Sequence, residues 1–359
     1  MAENFDPGAL RQWWPKPAKP RPIVIFGAGS IVGDAHLPAY RQAGFPVAGL
    51  YDPDREKAAK LAGAWRIPAF EREEDALAVA DAIFDLATPP AAHAAILAKL
   101  PIGAAALIQK PMGSDLEAAT AILELCRTRK LKAAVNFQLR FAPIMLALKD
   151  AIAKGYLGEV VDFDAWLALA TPWGFWPFLK GLPRIEIAMH SIHYLDLVRG
   201  LLGNPLGVHA KTIGHPNHEV AQTRTAAILD YGDRVRCVLS INHDHDFGRK
   251  FQACEFRISG TSGAAYVKLG VNLDYPKGEP DELWIRPTGA VEWVSVPLEG
   301  AWFPGAFANR MANLQRFASG EDPELIGSVE DAWQTMALVE AAYQSSASPA
   351  TAIAPLPGR

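Results

Sequence analysis

The first residues that could do chemistry are a glycine pair between an apolar run and an amphipathic stretch. Gly27-Ala28-Gly29 follows Ile23-Val24-Ile25-Phe26 and precedes a helical pattern from Ile31 to Ala43. In that context the first glycine permits a tight turn and the second lets the backbone approach a pyrophosphate. The pyrophosphate then lies at the positive N-terminus of the helix that Ser30 and Ile31 open. The third glycine position holds Val32, with Gly33 one place late; that glycine serves packing rather than phosphate contact. Asp52 closes the apolar run Val47 to Tyr51, about 20 residues on, where a carboxylate binds the adenosine ribose hydroxyls and repels a 2′-phosphate. The pair predicts a dinucleotide cofactor, NAD in preference to NADP. The plainer reading of Asp52 is a cap for the helix that Pro53 and Asp54 open.

Two further stretches carry reactive or recognising groups. Thr171-Pro172-Trp173-Gly174-Phe175-Trp176-Pro177-Phe178 could be a stacking wall for the apolar faces of a sugar, or a subunit contact. Lys180 and Arg184 follow it and could hold a carboxylate or polyol. In His243-Asp244-His245-Asp246 the two imidazoles share one face of a strand. With His190 or His193 they could bind zinc, but a polar strand end bordering a cleft explains them more simply. No metal is expected.

The elements that must position these groups alternate up to about residue 135. Strand-like runs at 23–26, 47–51, 82–87, 104–108 and 132–136 are separated by helical patterns at 31–43, 54–62, 90–99 and 114–129. Ser114 and Glu117 are placed as a capping box for the last of these. That grammar predicts a doubly wound parallel sheet. After residue 155 a helix at 185–202 is followed by long β-prone runs, many of them alternating, and by helices at 305–318 and 328–346. The expected fold is α/β: a Rossmann domain over 21–142 and an α+β domain over 143–346 with a large, mainly antiparallel open sheet. Residues 1–20 form an arm and 347–359 a tail. Trp13-Trp14 makes the arm either a flexible leader or a segment docked on the body or on a sister subunit.

The 359 residues, half of them hydrophobic, suffice for two cores. The net charge of −4 calls for neither nucleic acid nor an anionic membrane surface. The polar, Pro-rich start is not a secretory signal, and no run nears the ~20 apolar residues of a membrane span. Cys126, Cys237 and Cys254 are isolated and odd in number, which fits reduced thiols in the cytoplasm.

At Gln109-Lys110-Pro111 the sequence resembles a known family, the glucose–fructose oxidoreductase, inositol dehydrogenase and rhizopine-catabolism (Gfo/Idh/MocA) group. The resemblance runs from residue 21 to about 345. It rests on the glycine turn with His36-Leu37-Pro38, on Thr88-Pro89-Pro90 with His93, on Gln109-Lys110-Pro111, on Asn136 to Phe141 with Arg140, and on His193-Tyr194-Leu195-Asp196. It implies that Thr88, Pro89, His93, Gln109 and Lys110 join Gly27, Gly29, Ser30, Ile31 and Asp52 around NAD. It implies Lys110 and His193 as the catalytic pair, with Lys110 beside the nicotinamide and His193 as proton acceptor or relay. Asn136, Arg140, Trp176, Arg184, His190 and His193 are the expected substrate side.

The implied reaction passes hydride between a secondary hydroxyl of a sugar, sugar derivative or cyclitol and the nicotinamide. Such a hydroxyl must lose a proton as its hydride leaves, so a base must lie within hydrogen-bond reach. Two departures bear on the substrate. Gln109 stands where the family has glutamate, which removes a negative neighbour of Lys110. Met189 and Ser191 stand where it has aspartate and glycine, so His190 or Glu186 would have to supply the missing contact. Two rival functions remain: an enzyme that keeps its NAD and eliminates a glycosidic substituent through transient C3 oxidation, and a non-catalytic dinucleotide-binding sensor. Retention of Lys110 and His193 argues against the sensor. Partners are a carbohydrate or polyol and a second copy of the chain, as homodimer or homotetramer through the C-terminal sheet.

Overall fold

The computed structural model describes residues 5–175, 179–217, 219–274 and 278–354. Its first sheet is parallel and has the strands β1 (Ile23–Phe26), β2 (Val47–Tyr51), β3 (Ile83–Leu86), β4 (Ala105–Ile108) and β5 (Lys132–Val135) in the order β2-β1-β3-β4-β5. The central strands β1, β3 and β4 are buried throughout, as short apolar runs covered on both faces should be. Ile23 and Ile25 enter one core with Leu37 and Tyr40, whereas Val24 and Phe26 enter another with Ile122 and Leu123. The alternation places helices on both faces: α1 (Leu37–Ala43) and α2 (Arg55–Trp65) on one side, α4 (His93–Leu97) and α5 (Leu116–Thr128) on the other, with the short α3 (Glu73–Leu77) between.

Ala69 forms a single parallel bridge with Leu50, outside β2. Counted as a vestigial strand, it completes the six-strand order of the dinucleotide-binding fold, whose ligand lies where the order reverses, here between β1 and β3.

The second sheet has eight strands. These are β6 (Val160–Ala168), β7 (Gly207–Ile213), β8 (Arg224–Asp230), β9 (Arg236–Asn242), β10 (Ala253–Gly260), β11 (Ala264–Lys268), β12 (Glu282–Arg286) and β13 (Val294–Ser295). Every pair is antiparallel except β6 with β9. Alternate residues such as Phe163, Ala165 and Leu167 are buried, while Trp166, Ile228 and Trp284 lie on the exposed face. α6 (Pro143–Ala153) links the sheets, and α7 (Ile192–Leu202) follows a π turn at Glu186–Ser191. α8 (Trp302–Ala318) returns to bury Phe307, Met311 and Leu314 in the core of the first sheet, and α9 (Val329–Ala347) closes the described chain.

Several details differ from the sequence reading. Helix α5 is capped by Asp115, whose carboxylate accepts from Ala118 N at 2.8 Å, and Ser114 donates to Asp115 instead of capping; an aspartate caps as well as a serine, so the start moves by one residue. The helix over 143–153 and the short α3 were not read at all. The arm is docked. Trp13 donates to Glu299 and Trp14 to Asp322, both at 2.7 Å, and the Gln12 side chain bonds the backbone of Pro297 and Glu299.

An ion-pair network ties the crossover to the second domain. Arg140 grips Asp196 through Nε at 2.5 Å and Nη2 at 2.7 Å, and reaches Asp331 at 2.8 Å. Arg199 holds Asp331 and Thr335. Gly200 permits this, because a Cβ there would stand 2.9 Å from Arg140 Nε. Removing one partner of a buried pair strands the other. We therefore expect Asp196→Ala to lower stability by about 3–5 kcal/mol in denaturant unfolding.

Candidate active site

The glycine turn meets β3 at its closest point. Gly27 has φ of +107°, and a Cβ on it would lie 2.3 Å from the carbonyl oxygen of Ala87. Nothing stands within 4 Å of a Cβ on Gly29, which leaves the approach to the helix N-terminus clear. Ser30 and Ile31 open that helix, and residues Val32–His36 form a π turn before α1. A π turn absorbs one extra residue in a helix. Gly33 then does the packing expected of the third glycine, since a Cβ on it would press on Leu61 at 3.2 Å. The motif carries an insertion, and Val32 is a buried filler.

Asp52 buttresses the turn. Its Oδ2 accepts from Ala28 N at 2.8 Å and its Oδ1 from Asp54 N at 2.9 Å. The cap of α2 is Asp54, which accepts from Lys57 N. Thr88 and Pro89 follow β3. The Thr88 hydroxyl is buried without a partner among the described residues, and the Thr88 carbonyl oxygen bonds His93 Nε2 at 3.0 Å. Burial pushes the His93 pKa down to about 4, which keeps that ring neutral. A clear glycine turn, a carboxylate at the end of β2 and an unpartnered hydroxyl at the switch point together suit a dinucleotide.

Lys110 follows β4 and reaches across to the second domain, where its ammonium donates to the Met189 carbonyl oxygen at 2.8 Å. Desolvation lowers its pKa to about 8. His190 and His193 lie on the facing π turn and α7. Both pKa values fall well below the ordinary imidazole value, first through burial and then through neighbouring charge, which for His193 comes from Lys110 and for His190 from His243 and then Lys110. Among the described residues the Nδ1 atoms of both rings are buried without partners. Asn136, just after β5, is fully buried and neither of its amide atoms is bonded to a described residue, and the same holds for Gln138 Oε1 and Trp302 Nε1. Buried polar atoms without partners carry a desolvation cost that a bound polar ligand would relieve.

An aromatic cluster adjoins the two histidines. His190 packs on His243 with centroids 4.6 Å apart, and Trp173 lies edge-on to both rings, at 5.3 and 5.7 Å. His243 Nδ1 bonds the Thr171 hydroxyl at 2.8 Å, and its Nε2 lies 3.4 Å from Glu186. Glu186 is fully buried and accepts from Ser191 and Thr225. It therefore supports the wall from behind, and His190 occupies the front. Met189 contributes its backbone oxygen.

The structure brings together Lys110, His190 and His193, from both domains. It does not bring in Arg140, which is committed to Asp196 and Asp331, or Arg184, which pairs with Glu340 at 2.6 Å and lies over Tyr343. Trp176 lies outside the described residues. Sequence reasoning placed His243 at a polar strand end bordering a cleft, with zinc binding as the alternative, but not among the aromatic contacts of His190 and Trp173. It also missed Trp302, whose ring meets His193 edge-on at 5.8 Å and which no local pattern marks. Among the described residues no group of His, Cys, Asp or Glu could hold a metal ion, and no helix is long and apolar enough to cross a membrane.

A parallel sheet with a glycine turn at its switch point, facing a lysine and two neutral histidines, defines a dinucleotide-dependent α/β oxidoreductase. The chain belongs to the Gfo/Idh/MocA family. Residues 21–137 match the oxidoreductase family's NAD-binding Rossmann fold and residues 145–266 its C-terminal domain. The chain is 25% identical over 325 residues to a D-apiose dehydrogenase of Paraburkholderia graminis, covering 87% of this chain and 84% of that one. It is 31% identical over 214 residues to an inositol 2-dehydrogenase of Rhizobium meliloti, 57% and 58% of the two chains. The fold matches an oxidoreductase from Agrobacterium radiobacter solved with NAD+, L-tartaric acid and magnesium, with a TM-score of 0.77, 21% identity and coverage of 92% and 97%.

Gly27→Ala should leave a folded but weakened protein that no longer binds NAD+ in titration calorimetry, because its Cβ would collide with Ala87 in the cradle.

Proposed function

We propose that the protein is an NAD-dependent dehydrogenase of a sugar, sugar derivative or cyclitol, with Lys110 and His193 as catalytic residues. The observation that carries this reading is the lysine held across the domain boundary beside two neutral imidazoles. When bound, the nicotinamide would accept the hydride from the carbon that bears the reacting hydroxyl. Gly27, Gly29, Ser30 and Ile31 would hold the pyrophosphate, Asp52 the ribose, and Thr88, Pro89 and Gln109 the nicotinamide side; His93 shapes the Thr88 loop. The dehydrogenase names of the D-apiose and inositol relatives support a small polyol as substrate.

Lys110 is the better matched base of the pair. A base works best with a pKa near the working pH, and its value of about 8 meets that condition. His193, held neutral by burial, would accept a hydrogen bond from the bound substrate at its unpartnered Nδ1 and relay the proton. His190, His243 and Trp173 present ring edges and faces to the substrate, with Asn136 as donor and acceptor. NAD is preferred over NADP because the Asp52 carboxylate would face a 2′-phosphate. The exposed face with Trp166, Ile228 and Trp284 supports a homodimer or homotetramer through the second sheet. The three buried free thiols are consistent with the cytoplasm.

The amine form of Lys110 takes the proton, and that form grows as pH rises through the pKa. For oxidation, kcat/KM should therefore rise through pH about 8, and for reduction it should fall. Lys110→Ala should cost about 10²–10⁴-fold in kcat, checked by NADH formation over a panel of sugars and polyols that includes D-apiose and myo-inositol. Activity left intact in that variant would refute the reading. Thermal stabilisation by NAD+ but not NADP+, reversed by Asp52→Ser, checks the cofactor choice; equal stabilisation of the wild type by both would refute it.

A further inference from the structure

A carboxylate is buried inside the parallel sheet, where an aliphatic side chain would be expected. Asp85 sits in the middle of β3, 1% exposed, between Phe84 and Leu86. Its Oδ2 accepts from Tyr40 Oη at 2.6 Å and bonds His36 Nδ1 at 2.7 Å. His36 and Tyr40 are fully buried, and the His36 ring is wedged edge-on against Phe307 at 4.9 Å. The far nitrogen of His36 meets Gln109 Nε2 at 3.3 Å, and Gln109 Oε1 accepts from the backbone N–H of Lys110 at 2.8 Å.

The direction of each bond follows from the last one. A backbone N–H can only donate, so Gln109 must turn its oxygen toward Lys110. Its amide nitrogen then points at His36 and can only donate, so His36 Nε2 must be bare. The imidazole proton therefore sits on Nδ1 and goes to Asp85. Burial and the Asp85 charge hold the Tyr40 hydroxyl well above its ordinary pKa, so it stays a donor to the same oxygen. One tautomer and one amide orientation account for every bond of the chain, and among the described residues Asp85 Oδ1 has no partner.

We infer that Asp85 and His36 are positioning residues for Lys110, locking the Gln109 amide so that it holds the lysine backbone and leaves an uncharged side chain beside it. A glutamate at 109 could accept from Lys110 N–H equally well. It would, however, set a second carboxyl group against His36 and would need one more proton, on the ring or on that carboxyl, to be satisfied. The choice of glutamine at 109 and of aspartate at 85 are thus one arrangement. The inference rests on the assignment of Lys110 as the base.

The test needs no turnover. Full-length wild type, Asp85→Asn, Asp85→Val and Gln109→Glu would be labelled with acetic anhydride across the neutral to alkaline range, and the peptide containing Lys110 quantified by mass spectrometry against the other lysines. Asparagine still accepts from His36 and should keep the wild-type labelling profile. Valine cannot accept, and should change the Lys110 rate by about threefold or more without moving the other lysines. Gln109→Glu should move the midpoint upward. A folded Asp85→Val protein with an unchanged Lys110 profile would overturn the inference. Should that variant not fold, long-range proton–nitrogen correlation on histidine-labelled wild type decides: a bare Nε2 on His36 supports the relay, and a protonated one overturns it. Because neither measurement uses activity, an active Lys110→Ala enzyme would sink the dehydrogenase reading while leaving these results distinct.

Discussion

A lysine taken largely out of water, held by a carbonyl from the other domain, is the constraint around which this protein is arranged. The Lys110–Met189 bond spans the domain boundary at 2.8 Å, so the geometry of the site depends on how firmly the two sheets are held together. A charged ammonium in such a place tolerates few errors, because an unbonded buried charge is far more costly than a neutral orphan. The surroundings answer by being rigid: a π turn presents the carbonyl, and burial keeps the two neighbouring imidazoles uncharged.

The rigidity is supplied some way from the chemistry. Arg140, Arg199, Asp196, Asp331 and Thr335 clamp the crossover, α7 and α9 together. α8 crosses back into the core of the first sheet, and the arm lies over it, with Trp14 N bonded to Asn309 and Asn309 in turn to Gln12. The domains are therefore laced at three places in sequence: the crossover, the C-terminal helices and the N-terminal arm. A linker alone would not hold a lysine and a carbonyl at hydrogen-bond distance.

How much of this was legible depended on whether the signal was local. The glycine turn with Asp52 and the alternating elements could be read because each occupies one strand–turn–helix unit. The two π turns could not, since a one-residue insertion looks like a substitution until the backbone is seen; Val32 read as a lost glycine, and Met189 as a lost aspartate. Arg140 read as a site residue because it stands next to Asn136, but its long side chain turns away to Asp196. His243 and Trp302 come from distant segments, and only folding brings them to the cluster. Asp85 was readable in principle, as a charge in the run Ile83-Phe84-Asp85-Leu86, where an unpaired carboxylate would be too costly to bury.

The groups around the ammonium share one electrostatic consequence. Gln109 carries no charge and Met189 offers only its backbone oxygen, while Glu186 is turned toward Ser191, Thr225 and His243. Burial is then the cause that acts on Lys110, with no carboxylate offsetting it. A carboxylate at either position would stabilise the ammonium and raise its pKa. Without them, a positively charged ring arriving beside the lysine would depress its proton affinity further, which favours the amine that the proposed oxidation calls for. The buried carboxyl group of the first sheet, Asp85, bonds His36 and not the ammonium, and His36 in turn meets the Gln109 amide that accepts from the Lys110 backbone.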